Sequence, residues 1–200
     1  PIVNKGDMKI AKVSINASGN LSYGINSVGI QNIESGNLEV TNIVITSAKY
    51  GIESKTEGKT IINSGNISVR GNVNTDHGGA VRNTIGTLII NGGNLSGSIS
   101  YSNETARIVE NSGTTIINGG TISGGAYGIV NTTAGKLRIM GGDIKTQIIN
   151  TSTGTFEIGG YEEEGNINYT DKEINISAQV NNDGILMNIY KGNIIASING

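Results

Sequence analysis

The sequence predicts an all-β solenoid, a parallel β-helix of about 7–8 coils with three short strands in each. Two observations carry this. A glycine followed by an alternating apolar run returns at Gly6, Gly36, Gly58, Gly86, Gly113, Gly135, Gly154 and Gly184, at intervals of 30, 22, 28, 27, 22, 19 and 30 residues. Composition is the second: 36% of residues are apolar and 4% aromatic, while the chain holds 31 Gly and 27 Asn. A narrow interior of stacked Ile, Val and Leu tolerates so little apolar mass, with Gly and Asn absorbed at corners. Disorder is the competing reading of such polarity, but the regular Ile spacing and the single Pro oppose it.

The unit is cleanest at Asn111–Asn131, NSGTTIINGGTISGGAYGIVN. Its first piece repeats as Gly36–Val40, Gly86–Ile90, Gly135–Ile139 and Gly154–Ile158. Its second follows a glycine and centres on Ile67, Leu95, Ile122 or Ile144. Its third reads Gly51–Ser54, Ala80–Asn83 and Gly128–Asn131, with Ile148–Asn150 in the same register. Period-two alternation and β-branched residues make each piece a strand. The pairs Gly92-Gly93, Gly119-Gly120 and Gly141-Gly142 supply the positive φ of sharp corners.

In chain order, Gly6–Asn26 is coil one, with Met8, Ile10, Ile15 and Ile25 inward, and Val28, Ile30 and Ile33 lie on a linker to coil two, Gly36–Ser54. Coil three (Gly58–Asn83) carries a long excursion, Ser68–Gly79, and coil four (Gly86–Asn111) another, Ser96–Arg107. Coils five and six, from Gly113 and Gly135, are nearly bare. Coil seven, from Gly154, contains the acidic run Glu162–Glu164, read as a solvated loop, and then inward Ile167, Ile174, Ile176 and Val180. Asp183–Gly200 reads as an eighth coil through Ile189 and Ile194.

Stacking turns sequence columns into ladders. Asn83, Asn111, Asn131 and Asn150 form one, in which amides hydrogen-bond along the axis. Glu53, Arg82 and Glu110 form another of alternating charge. Between the inward positions of the first strand, Ile61, Ile89 and Ile116 point outward as an apolar stripe. Tyr23, Tyr50 and Tyr127 precede inward positions and read as corner packing.

The phrases GTTIINGGTISGGAYGIVN, GTLIINGGNLSG and GKLRIMGGDI resemble right-handed parallel β-helix repeats of the pectin-lyase-like type, as found in bacterial surface adhesins and autotransporter passenger domains. The asparagine column is similar to one in that fold. The resemblance covers nearly the whole chain and weakens around Tyr161–Asp183. It implies right-handed winding and an extracellular or bacterial cell-surface protein, with residues 1–200 a single β-helix domain cut from a longer surface protein and continuous with its flanking domains.

The fold hosts enzymes and non-enzymatic adhesins alike, so function rests on sites. A lyase of this type needs clustered carboxylates for Ca²⁺ and a basic residue, and a hydrolase needs carboxylates in register on neighbouring coils. Here Glu39 and Glu157 share a column but are separated by the Ile stripe, and Arg82 stands between Glu53 and Glu110. No catalytic, cofactor or metal site is assigned, and cysteine is absent. The net charge of −2 gives no case for nucleic acid, and no run of 18 or so apolar residues inserts in a membrane. A repeated Thr-x-Thr face for ice is interrupted, since Lys59 and Lys136 flank the Thr87/Thr114 column. The ligand-binding candidates are Arg70, Asp76, His77, Tyr101, Glu104 and Arg107 on the paired excursions, with the stripe Ile61, Ile89, Ile116 as a second surface. The reading is a non-enzymatic adhesion or stalk module whose partner is a glycan or surface protein. Its alternative is a polysaccharide lyase or glycoside hydrolase.

Overall fold

Strands that alternate apolar and polar residues over four or five positions can bury one side only, and three such strands per coil bury theirs against each other. The computed structural model of the chain describes residues 1–17, 28–47, 49–70, 78–98, 107–132, 134–151, 153–195 and 197–199, with the backbone alone at Arg70. Every stacked pair of strands is parallel, and no helix occurs among the described residues.

The first face stacks Asp7–Ala11, Asn37–Thr41, the ends of Tyr50–Ile62 and Gly79–Ile90, Thr114–Ile117, Lys136–Ile139, Thr155–Ile158 and Leu186–Ile189. The second is a separate sheet of 8 strands, from Ser14–Ala17 to Asn193–Ile194. The third runs from Ile2–Asn4 through Val28–Glu34, the starts of the two long strands, Arg107–Asn111, Gly128–Asn131, Ile148–Asn150 and Val180–Asn182 to Ile198–Asn199. The solenoid is therefore eight coils deep at its second face, as the sequence predicts. One expected element changes. Val28–Glu34 is no linker but the third strand of coil one, pairing Ile30 with Ile2 and Ile52. The signal was present, because Asn32 precedes Gly36 by the same four residues that separate Asn131 from Gly135 and Asn150 from Gly154.

The core consists of pure columns. Ile10, Val40, Ile62, Ile90, Ile117, Ile139, Ile158 and Ile189 stack on the first face. Ile15, Ile45, Ile67, Leu95, Ile122, Ile144, Ile176 and Ile194 stack on the second. Ile30, Ile52, Val81, Val109, Ile129, Ile148 and Val180 stack on the third, all fully buried. Between the first and second faces the chain turns on Gly93, Gly120 and Gly142, with φ of 97°, 94° and 106°. A methyl at Gly120 would also meet the Gly93 carbonyl oxygen of the coil below at 2.6 Å, so glycine is required twice over.

At the corner from third to first face the asparagine column is longer than the sequence suggested. Asn4 donates to Asn32 (2.8 Å), Asn83 to Asn111 (3.1 Å), Asn111 to Asn131 (2.7 Å), Asn131 to Asn150 (2.6 Å) and Asn150 to Asn182 (2.6 Å). The same Nδ2 groups also reach carbonyl oxygens across the corner. Asn131 donates to Gly135 (2.9 Å) and Thr155 (3.0 Å), and Asn111 to Gly113 (3.0 Å) and Lys136 (3.1 Å). Ser54 breaks the run. Its hydroxyl lies 2.8 Å from that of Thr60, and Asn32 turns to the same Thr60 oxygen (2.9 Å). Asn83 Oδ1 is then buried without a partner, because the residue below it carries no amide.

The span 160–169 departs from the coil pattern. It is an antiparallel hairpin, Gly160–Glu163 against Asn166–Tyr169, turning on Glu164 and Gly165 with φ of 52° and 78°. Two positive φ values in a two-residue turn match the twist of the strands they join. Two of the glutamates read as solvated loop are thus strand residues. Ile167 is not inward but 43% exposed on the hairpin, because the hairpin projects from the coil instead of contributing to it. Ile174, Ile176 and Val180 are buried as predicted.

Ser54→Asn restores the missing link by accepting from Asn32 and donating to Asn83. A recovered buried hydrogen bond contributes about 1 kcal/mol, or a rise of about 2–4 °C in Tm at this size. Thermal unfolding checks this, and a lower Tm contradicts the ladder. Register is checked by neighbours. Ile117 is fully buried, so Ile117→Asp prevents cooperative unfolding, whereas half-buried Ile116→Asp folds.

Candidate functional site

On the third face, outward side chains form the column Gln31, Glu53, Arg82, Glu110, Val130. Arg82 lies 3.6 Å from both Glu53 and Glu110, so the charge ladder stands as predicted. Glu53 also meets Lys55 at 2.9 Å and accepts from Gln31 at 3.0 Å, and Glu110 meets Arg107 at 2.7 Å. Both carboxylates are nearly buried, a position that carboxylates hold only when paired. Tyr50, 3% exposed, packs beneath two cations, with Lys49 5.6 Å and Arg82 5.4 Å from its ring centre. Gln31, Lys49, Tyr50, Glu53, Lys55 and Arg82 line an open cleft of about 200 Å³.

The two excursions leave and return beside each other. Arg70 and Ser98 pair at the ends of Gly65–Arg70 and Asn94–Ser98, and the Arg107 amide donates to the Gly78 carbonyl at 2.9 Å. The excursions are shorter than the sequence suggested, since Val69 is 1% exposed and belongs to the core. Of the ligand-binding candidates, Arg107 opens the strand Arg107–Asn111 and is held by Glu110. Arg70 closes its strand, and its side chain lies outside the described residues, as do Asp76, His77, Tyr101 and Glu104. Tyr50 packs as expected, Tyr127 is 40% exposed, and Tyr23 is also outside the description.

On the first face, Ile61, Ile89 and Ile116 stack in register as half-buried residues. The column continues to Glu39 and Lys9 on one side and to Arg138 and Glu157 on the other. Lys9 and Glu39 are 2.8 Å apart, and Asn63 donates to Glu39 at 2.9 Å. The hydrogen bond from Lys9, then that from Asn63 and the charge of Lys9, hold the Glu39 carboxyl below the usual carboxylate range. Glu39 in turn raises the Lys9 ammonium. Lys9, Glu39, Lys59 and Ile61 line an open groove of about 550 Å³. At the other end Arg138 donates to Glu157 at 2.8 Å, and the Tyr161 ring of the hairpin lies 3.8 Å from the guanidinium carbon. Lys59 and Lys136 interrupt the Thr87/Thr114 column as read from the sequence.

Glu39 and Glu157 are five coil steps apart, about 24 Å at the spacing of parallel strands. No group of three or more His, Cys, Asp or Glu placed to hold a metal ion occurs among the described residues. Sequence reasoning missed the hairpin, although the Glu164-Gly165 pair before the alternating Asn166–Tyr169 marked it, and with it the contacts of Tyr161, Tyr169 and Tyr190. Compared with models of known protein families, with characterised proteins and with solved structures, the chain finds no match.

Arg82→Glu stacks three carboxylates on the third face and lowers stability by more than about 1 kcal/mol, most strongly at low salt where screening is weakest. Thermal unfolding at two ionic strengths reads it, and equal Tm values for both proteins at low salt contradict the ladder.

Proposed function

We propose that the chain is a non-enzymatic β-helix module of a bacterial cell-surface or secreted protein, acting in adhesion or as a stalk, with a glycan or surface protein as partner. Its likeness to right-handed pectin-lyase-like repeats of surface adhesins supports this, as does a stiff rod whose strands stack without interruption over eight coils. The observation that carries the binding role is the pairing of the two excursions. Bare coils pass from second to third strand in seven steps, Ile122 to Ile129, whereas Ile67 to Val81 and Leu95 to Val109 each take 14. The solenoid needs none of the added residues. Those residues include Asp76, His77, Tyr101 and Glu104, the types that recognise a hydrophilic partner. Among the described residues the buried glutamates, Glu53, Glu110 and Glu157, are each held by an arginine, which favours structure over acid–base chemistry at those positions.

Replacing residues 71–77 and 99–106 by short Gly-containing turns leaves Val69 and the strand ends in place, so folding and Tm persist. On an array of glycans and matrix proteins, the trimmed protein loses the partner that the intact protein captures. Equal capture by both proteins moves the binding role to the Ile61/Ile89/Ile116 face. Turnover of a uronan or neutral glycan by the intact protein replaces the adhesive reading with the enzymatic one.

A further inference from the structure

The geometry points to a second binding site, independent of the paired excursions, in which the hairpin and coil eight hold a neutral pyranose oligosaccharide. The hairpin is anchored to the coils on both sides. Tyr161 lies on the Arg138 guanidinium, Thr170 Oγ1 donates to the Met140 carbonyl (2.7 Å), and Lys191 Nζ donates to the Thr170 carbonyl (3.2 Å). This places Tyr169 edge-on to Tyr190, with ring centres 6.1 Å apart and planes at 88°. Tyr190 is fixed from two further directions. Asn188 donates to its hydroxyl at 3.2 Å, and its ring lies so close over Gly160 that a methyl there would stand 3.2 Å from it. Tyr169 nonetheless remains 64% exposed, and Ile167 beside it 43%. An aromatic pair held in one geometry yet left in water is a preorganised apolar corner.

The segments that follow the two tyrosines line an open cleft of about 380 Å³, within the size range of small-ligand sites. Its polar walls are Asp171, Glu173, Lys172, Lys191 and Asn193. Two carboxylates and two ammonium groups line it, Lys172 Nζ also donating to the Asn118 carbonyl (3.1 Å), so the cleft has no net charge with which to select an ion. The hairpin tip adds Glu162, Glu163 and Glu164, which repel a polyanion. A pyranose fits both parts. Its C–H face lies against an aromatic ring, and its hydroxyl rim donates to carboxylates while accepting from ammonium and amide groups.

The test uses the full chain, with cellotetraose, maltotetraose and mannotetraose as neutral probes and tetragalacturonate as the charged one. Tyrosine fluorescence, usable because the chain has no Trp, and saturation-transfer NMR read the binding. At least one neutral tetrasaccharide is expected to bind saturably, and tetragalacturonate about tenfold or more weakly. Tyr169→Ala lowers that affinity about tenfold, and Asp171→Ala, at an exposed position, about threefold. Tyr169→Phe keeps the affinity, and so does Tyr127→Ala. Absence of neutral binding by both methods overturns the proposal, as does unchanged affinity in Tyr169→Ala and Asp171→Ala. Preference for tetragalacturonate overturns the ligand class. The protein trimmed at residues 71–77 and 99–106 keeps the tetrasaccharide. Its loss on trimming overturns this site while leaving the adhesive role of the excursions standing.

Discussion

One amide per coil, buried at the corner between third and first faces, is the constraint on which the rest of the solenoid depends. A closed coil must bend its backbone there, and bending turns carbonyl oxygens inward where water does not reach them. The side-chain Nδ2 of asparagine has two hydrogens at the right angle for both duties. One goes along the axis to the next amide, and the other goes across the corner to a carbonyl such as that of Gly135 or Gly154. The corner loop can then be two residues, as from Asn111 to Gly113, or four, as from Asn131 to Gly135, without changing what the amide satisfies. At Ser54 the amide is missing, and a hydroxyl pair with Thr60 is recruited in its place.

With that corner fixed by amides and the first-to-second corner by glycines, the corner between second and third faces is free to vary. The core needs only three slender columns, so one Phe suffices as the largest fully buried side chain, and β-branched Ile does most of the filling. Long insertions between the second and third strands disturb neither the columns nor the amides, because they leave at Arg70 and Ser98 and return at Gly79 and Arg107. The hairpin at Gly160–Tyr169 uses a different exit, after the first strand of coil seven. The residues that build the columns and the amides thus lie outside the excursions.

That division also decides what was legible in the sequence. Columns are repetition, and repetition is visible, so the faces, the Glu53–Arg82–Glu110 ladder and the outward Ile61, Ile89 and Ile116 could all be placed by alignment of the chain with itself. Asn32 is obscured by the apolar pattern of Ile30 and Ile33, although its spacing to Gly36 marks the corner. The hairpin is hard to read for the opposite reason: it occurs once. Ile167 then resembles one more inward residue, and only the Glu164-Gly165 turn before the alternating Asn166–Tyr169 marks the departure from the rod. The Tyr169–Tyr190 contact joins two singular segments 21 residues apart, which no repeat can reveal. Unrepeated elements are where such a sequence is least readable, and they are also where its candidate ligand sites lie.

A stack of identical apolar columns leaves one problem that packing cannot solve. Ile52 sits as well on Val109 as on Val81, so the hydrophobic core alone would accept a coil skipped from the pile. The outward columns remove the degeneracy. Omitting coil three from the third face would bring Glu53 directly onto Glu110, two carboxylates that are each nearly buried, while Arg82 lost both partners. On the first face the same kind of slip would set Glu157 against Ile116 and leave Arg138 unmatched, although that pair is now closed at 2.8 Å and covered by Tyr161. Ser54 and Thr60 act likewise, since their hydroxyl pair is satisfied only with Asn32 below. Each charge pair contributes little to stability in the correct stack, but an uncompensated buried charge in a wrong one costs several kcal/mol. The ion pairs of this rod therefore select the register that the isoleucines cannot distinguish.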